Sequence, residues 1–240
     1  LAELPYPQDG IVIKLADIAY RKQLGNTAHH PRGEIAYKFT NLSCKTTLLG
    51  VEWSFGKNCL TPVAEIKPVE LNGITIRHAT LHNIQNIIDR DIQIGDTVTV
   101  ERAGDVIPYI ASSEPGLLRQ SALIEHCPCC DSLLVRQGPE ICCVNPDCME
   151  TNLQKLLAAV RNIGIEELGE PTLRLLMTQF NIRAIDGLFE LKKDDFLKLP
   201  GFQNLSAANL YNEIQSARKT SDYQLLAALN VPHIGPNIAK

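Results

Sequence analysis

The sequence predicts a multidomain α+β chain: a small five-stranded β-barrel, a four-cysteine finger and an all-helical last part. Three observations carry that reading. Short apolar runs split by turn residues recur over residues 40–115. Six of the eight cysteines crowd between 127 and 148. Beyond residue 153, apolar residues recur at helical spacing. A chain of 240 residues has room for several small domains. With 45% hydrophobic and 21% charged residues it is neither disordered nor collagen-like. No apolar run approaches the roughly 20 residues that span a bilayer; Leu156-Leu157-Ala158-Ala159-Val160 is typical. No signal peptide opens the chain, so no membrane partner is expected.

Residues 1–39 hold two strand-like runs, Gly10-Ile11-Val12-Ile13-Lys14 and Ile35-Ala36-Tyr37-Lys38-Phe39. So short a stretch cannot bury a core of its own and reads as the tail of a larger domain. The opening at Leu1, with Pro5 and Pro7 close behind, also reads as a start inside a longer chain.

Residues 40–115 offer five strands: Leu48–Phe55, Val63–Leu71, Ile74–Arg77, Thr97–Arg102 and Val106–Ser112. Asn72-Gly73 is a hairpin signal between the second and third. Ile94-Gly95-Asp96 and Ala103-Gly104-Asp105 mark further turns. Five short strands at this spacing predict a small barrel, with the OB-fold the best match.

Residues 116–152 hold the cysteines. Cys127 and Cys130 form a C-x2-C pair, and Cys143 and Cys148 a C-x4-C pair. Two such knuckles suit a tetrahedral Zn²⁺ with a closed, structural coordination shell. A segment with few large apolar residues needs that staple. A disulfide knot is the alternative; the missing secretory signal weighs against it. Cys129 and Cys142 are left over beside the ligands, and either could substitute in a rearranged site. Cys44 and Cys59 read as isolated, buried small apolar residues.

Residues 153–240 read as helices joined by glycine turns. Leu173, Leu176, Met177 and Phe180 give one helical face, with Pro171 near the first helical position. Leu205–Lys219 and Asp222–Leu229 are two more helices. Gly164 with Gly169, then Pro200-Gly201, then Gly235-Pro236 repeat a loose helix, hairpin, helix pattern. A last helix would start near Asn237, which reads as a cut end. Charge gives no basic arm: the net is −4, and residues 40–115 carry 6 basic against 9 acidic groups. Nucleic-acid contact would need placed residues and backbone N–H groups rather than bulk charge.

Asp9-Gly-Ile-Val-Ile-Lys14 followed by Ala36-Tyr-Lys38-Phe39 resembles the last two nucleotidyltransferase motifs of covalent-adenylate ligases. Leu24-Gly-Asn-Thr27, Pro31-Arg32 and Ile35–Phe39 are similar to the bacterial NAD-dependent DNA ligases. So are Leu60-Thr-Pro-Val-Ala64, Pro68-Val69, Ala79-Thr-Leu-His-Asn83, Asp91-Ile92, Ile94-Gly-Asp-Thr97 and Arg102-Ala-Gly-Asp-Val-Ile-Pro108, in that family's order. The four-cysteine finger follows in place, and His233-Ile-Gly235-Pro236 resembles a helix-hairpin-helix turn.

The resemblance implies a division into an adenylation-domain end (1–39), an OB domain (40–115), a zinc finger (116–152) and part of a helix-hairpin-helix domain (153–240). It implies nick sealing in DNA replication and repair, by a cytoplasmic, monomeric enzyme. A lysine takes AMP from NAD⁺, AMP moves to the 5′-phosphate, and the 3′-OH displaces it. Asp9 would help hold a divalent metal, Mg²⁺ or Mn²⁺, or orient the nucleotide. Lys14 and Lys38 would face the AMP phosphate. Arg102, Val106 and Ile107 would touch nicked duplex DNA from the barrel, joined by Lys57. From periodicity alone, Val106 and Ile107 read as core strand residues. Gly164, Gly169, Gly201 and Gly235 would let hairpin backbone approach phosphates; singly, each reads as a helix-capping glycine.

The chain departs from the family at named places. No Lys is followed at the right spacing by Asp-Gly, so the nucleophilic motif is absent and self-adenylation is not expected. Gly56-Lys57-Asn58-Cys59 stands for Gly-Arg-Thr-Gly, which loses the bidentate fork. Glu167-Leu-Gly169 and Gly201-Phe-Gln203 each keep one hairpin glycine of two, and Gly33 stands where an aromatic residue is usual. These departures leave open a noncatalytic DNA-binding module or a diverged paralogue. An RNA-directed OB and zinc protein is a further reading.

Overall fold

The structure is a computed structural model that describes residues 10–28, 30–38, 42–57, 59–71, 73–102, 107–231 and 234–240. Asp9, Phe39, Asn58, Asn72, Ala103-Gly104-Asp105, Val106, His233 and the side chain of Lys38 lie outside the described residues. The described residues form two compact units. One runs up to Glu52 and takes in Pro62–Ala122; the other joins Trp53–Thr61 to Leu123–Lys240.

The first unit opens with strands β1 (Gly10–Lys14) and β2 (Glu34–Lys38), antiparallel with Gly10 opposite Lys38 and Lys14 opposite Glu34. Between them lies helix α1 (Ile18–Gln23), whose first turn is capped by the Asp17 carboxylate. Val12, Ile13, Ile35 and Tyr37 are exposed. Two strands alone have no second layer to bury them.

The barrel strands are β3 (Leu42–Phe55), β4 (Leu60–Leu71), β5 (Ile74–Thr80), β6 (Thr97–Arg102) and β7 (Tyr109–Glu114). The pairing order is β4-β3-β6-β7-β5, and β5 pairs back to β4. The ring is therefore closed, and no strand edge is left open. Alternating side chains fill it: Leu48, Ala64, Ile66, Ile76, Val98, Val100 and Ile110 are buried. This is the OB-type barrel the turn signals predict. Its last strand starts at Tyr109 rather than Val106, because Pro108 precedes it and its carbonyl already accepts the Thr80 N–H.

Helix α2 (Ile84–Asp89) interrupts the barrel and was not among the sequence expectations. Asn83 caps it through Oδ1, and Ile84 and Ile87 are buried. The Ala79–Asn83 run thus leaves strand β5 and enters a helix. Ile94-Gly95-Asp96 is more than a turn. Asp96 is fully buried and accepts from the Gln93 and Gly116 N–H groups, the Ser113 hydroxyl and the Arg119 guanidinium. Gly95 has φ 95°, and a Cβ there would lie 2.0 Å from the Leu118 carbonyl oxygen. Only glycine lets these two backbones meet. Burial alone would raise the Asp96 carboxyl; the hydrogen bonds from Arg119 and the two N–H groups outweigh it and hold it at about 2.

The second unit carries a short hairpin, β8 (Val135–Gln137) with β9 (Glu140–Cys142), and Ile141 of β9 pairs with Leu60. Helices follow: α3 (Met149–Ile163), α4 (Glu170–Phe180), α5 (Ile185–Glu190), α6 (Lys193–Phe196), α7 (Asn204–Ser216), α8 (Asp222–Ala228) and α9 (Pro236–Ala239). On α4, Leu173, Leu176 and Met177 are buried with Phe180 packed against them, the face that the period predicts. They join Leu153, Leu156, Val160 and Ile163 of α3 in one apolar cluster with Phe196, Leu210 and Ile214. Two side-chain amides lock α3 to the far end of this unit: Asn162 donates to the Ala227 carbonyl and Asn230 to that of Lys155. No helix among the described residues is long and apolar enough to cross a membrane.

Candidate metal centre and nucleic-acid interface

Cys127, Cys130, Cys143 and Cys148 converge, with all four sulfurs within 4.8 Å of one another. The loop 127–132 folds back on itself, since the Cys127 carbonyl accepts the Asp131 N–H and the Cys127 N–H reaches the Ser132 carbonyl. Cys143 follows directly on β9, and Cys148 is the N-cap of α3. A tetrahedral zinc with four thiolates has sulfur–sulfur edges of about 3.8 Å. The Cys127–Cys148 and Cys130–Cys143 sulfurs are 3.9 and 3.6 Å apart. The set could therefore hold a metal ion such as zinc.

Burial pushes the Cys127 thiol up to about 12, and burial likewise raises Cys143. Ser132 beside Cys130 holds that thiol down to about 6. Asn145 donates to the Ser132 hydroxyl over 3.0 Å, which orients it. A cation at the centre would reverse the burial penalty on all four sulfurs. Cys129 is exposed and outside the set.

Cys59 corrects an expectation. It is not isolated: it forms a disulfide with Cys142. The register explains the pairing. Ile141 faces Leu60 in antiparallel pairing, so the residue after one stands opposite the residue before the other. Cys142 is thereby withdrawn from competition for the metal. Cys44 is half-buried and its thiol points to the Glu70 carbonyl.

The remaining site residues fall in several places. Lys14 stands 3.0 Å from Glu34, which Arg21 also approaches at 3.7 Å. Gly33 makes this possible, since a Cβ there would lie 2.5 Å from Arg21 Cγ. Lys38 pairs by backbone with Gly10, at the other end of the strand pair. Arg102 and Ile107 line one groove of the barrel, and Ile107 is 71% exposed. Lys57 sits in the tight Gly56–Cys59 loop, half-buried.

Gly164 ends α3 in the left-handed conformation, and Gly201 has φ 86° in the turn before α7. Gly169 and Gly235 are the N-caps of α4 and α9. A Cβ at Gly164, Gly201 or Gly235 would meet nothing within 4 Å, so each faces open space. Sequence reading missed one feature here. In the first hairpin, the Glu213 carboxylate accepts the Glu166 N–H at 2.6 Å and the Glu167 N–H at 3.3 Å. A carboxylate of the same chain therefore already holds these two backbone donors.

Residues 2–42 match the family model of the NAD-dependent DNA ligase adenylation domain, and residues 45–120 that of the NAD-dependent DNA ligase OB-fold domain. Two stretches of the chain are thus similar to domains of the NAD-dependent DNA ligases. It is 39% identical over 246 aligned residues to DNA ligases of Bacillus thuringiensis (strain Al Hakam), Bacillus mycoides (strain KBAB4) and Bacillus cereus (strain B4264). The alignments cover 99% of this chain and 37% of each relative. The chain thus spans little more than a third of the length of these ligases.

Proposed function

We propose that the chain is part of an NAD-dependent DNA ligase that seals nicks through lysyl-AMP and DNA-adenylate intermediates. Residues 1–39 would supply Lys14 and Lys38 to face the AMP phosphate and Asp9 to help hold a divalent metal or orient the nucleotide. Residues 40–115, 116–152 and 153–240 would act as barrel, zinc finger and helix-hairpin-helix clamp on nicked duplex, working as a monomer in the bacterial cytoplasm. Arg102, Val106, Ile107 and Lys57 would touch the duplex, with Gly164, Gly169, Gly201 and Gly235 at the hairpins. Mg²⁺ or Mn²⁺ belongs to the same reading, neutralising phosphate charge during transfer. Zn²⁺ would sit on Cys127, Cys130, Cys143 and Cys148 as a structural ion.

The observation that carries the proposal is the order of parts: an adenylation-domain match, an OB-domain match, then four converging thiols. The test uses the ligase polypeptide that contains these residues. It is incubated with NAD⁺ labelled in its adenylate, with labelled ATP as control, and then offered nicked duplex. Label from NAD⁺ alone, followed by sealing, is the expected result. Lys14→Ala should slow label transfer and leave nick affinity nearly unchanged. Label from neither nucleotide would favour a second reading, a noncatalytic DNA clamp or diverged paralogue. One contact favours that second reading: Glu34 occupies Lys14.

A further inference from the structure

The barrel presents a groove of about 470 Å³ lined by the strand residues 74–78 together with Arg102, Ile107 and Pro108. Among the described residues its lining contains two arginines and a histidine and no carboxylate. Residues 40–115 carry more acidic than basic groups, so these gathered cationic side chains stand out against their own domain. Ile76 is buried, while Arg77 and His78 beside it are exposed. The partner strand explains the break in alternation. From His78 to Ile76 strand β5 takes two steps, while β4 goes from Glu65 to Val69. The bulge in β4 lies opposite Arg77, and bulges of this kind re-aim neighbouring side chains. Among the described residues, neither the Arg77 nor the His78 side chain has a hydrogen-bond or ion-pair partner. Ile107 and Ile74, 71% and 46% exposed, add apolar surface to the same groove.

Exposed guanidinium beside exposed apolar surface fits a phosphodiester strand: cation to phosphate, aliphatic side chain to sugar. We propose that Arg77 is a further nucleic-acid contact of this chain, holding a backbone phosphate of one duplex strand in the groove that Arg102 and Ile107 also line. The inference rests on the DNA-binding reading above and adds a residue that the sequence did not single out. Arg77 carries no sequence information in this role, because phosphates are alike at every step.

The test measures binding of fluorescently labelled nicked duplex DNA to the metal-loaded 240-residue chain over a range of salt concentrations. Arg77→Ala, Arg77→Lys and Arg102→Ala are compared with the unaltered chain, after metal content and melting temperature are checked to be unchanged. Arg77→Ala is expected to weaken binding several-fold for any duplex sequence and to make the salt dependence shallower by about 1. Arg77→Lys is expected to restore the salt dependence, since it keeps the charge. If Arg77→Ala binds like the unaltered chain while Arg102→Ala binds less, Arg77 is not a contact and the DNA reading survives. If the unaltered chain binds RNA duplex or no duplex at all, the DNA reading itself falls, and this inference with it.

Discussion

Two polar centres hold turns in this chain, and they differ in where a balancing cation comes from. In the barrel, Asp96 meets a guanidinium of the same chain, Arg119, and the N–H groups of Gln93 and Gly116. In the cysteine finger, four sulfurs converge, and the donors beside Cys130 and Cys143 come from uncharged Ser132 and Asn145. A centre with its own cation is complete once the chain folds. A centre made only of thiols ties its folding to a cation from outside. The Cys59–Cys142 disulfide is a third solution, sulfur joined without charge.

The strongest test of this contrast removes each cation. A chelator, or Cys127→Ser with Cys143→Ser, should take the metal from one ion per chain to none. The amides of residues 127–148 should then lose their exchange protection, because structural zinc contributes roughly 10 kcal/mol or more to such folds. The barrel should keep its protection. Metal-free chain with a protected finger would break the comparison.

Asp96→Asn is expected to cost about 2–4 kcal/mol, since one amide oxygen cannot accept from Arg119 and from the Gln93 and Gly116 N–H groups as the buried carboxylate does, and urea unfolding of the barrel reads this directly. The pH dependence sharpens it. The folded carboxyl lies near 2, below the unfolded value of about 3.9, so its contribution is present above pH ~4. It is lost as pH falls toward 2, and Asp96→Asn should lack that component.

Cys59→Ser should lower stability by about 2–4 kcal/mol, and the unaltered chain with reductant should match it. Metal content should stay at one ion in both, because Cys142 lies outside the ligand set. A second ion, or loss of the first, would show that Cys142 competes. The smallest effect is Glu213→Ala, about 1 kcal/mol from the lost caps on Glu166 and Glu167. Thermal unfolding checks it.

What could be read ahead of the structure was whatever is local. Cys127 with Cys130 and Cys143 with Cys148 announce themselves by spacing. Leu173, Leu176 and Met177 do so by period, and the barrel by its turn residues. What depends on register or distant contact could not be read. Cys59 and Cys142 are 83 residues apart and meet only because Ile141 pairs with Leu60. Asp96 looked like a turn residue, because Gly116 and Arg119 reach it from beyond the last barrel strand. Helix α2 left a local signal, Asn83 before Ile84 and Ile87, but six residues between strands are too few to show a period. Glu213 reaches the first hairpin from another helix, and Arg77 is turned outward by a bulge on the neighbouring strand. Neither leaves a mark on its own segment.

We propose that barrel, finger and hairpins together hold nicked duplex DNA. The most direct test titrates the zinc-loaded chain with a nicked duplex at low and at physiological salt. Saturable binding that weakens steeply with salt is expected, and it should be lost when the metal is removed. A zinc-loaded, folded chain that leaves the duplex unbound even at low salt would contradict it.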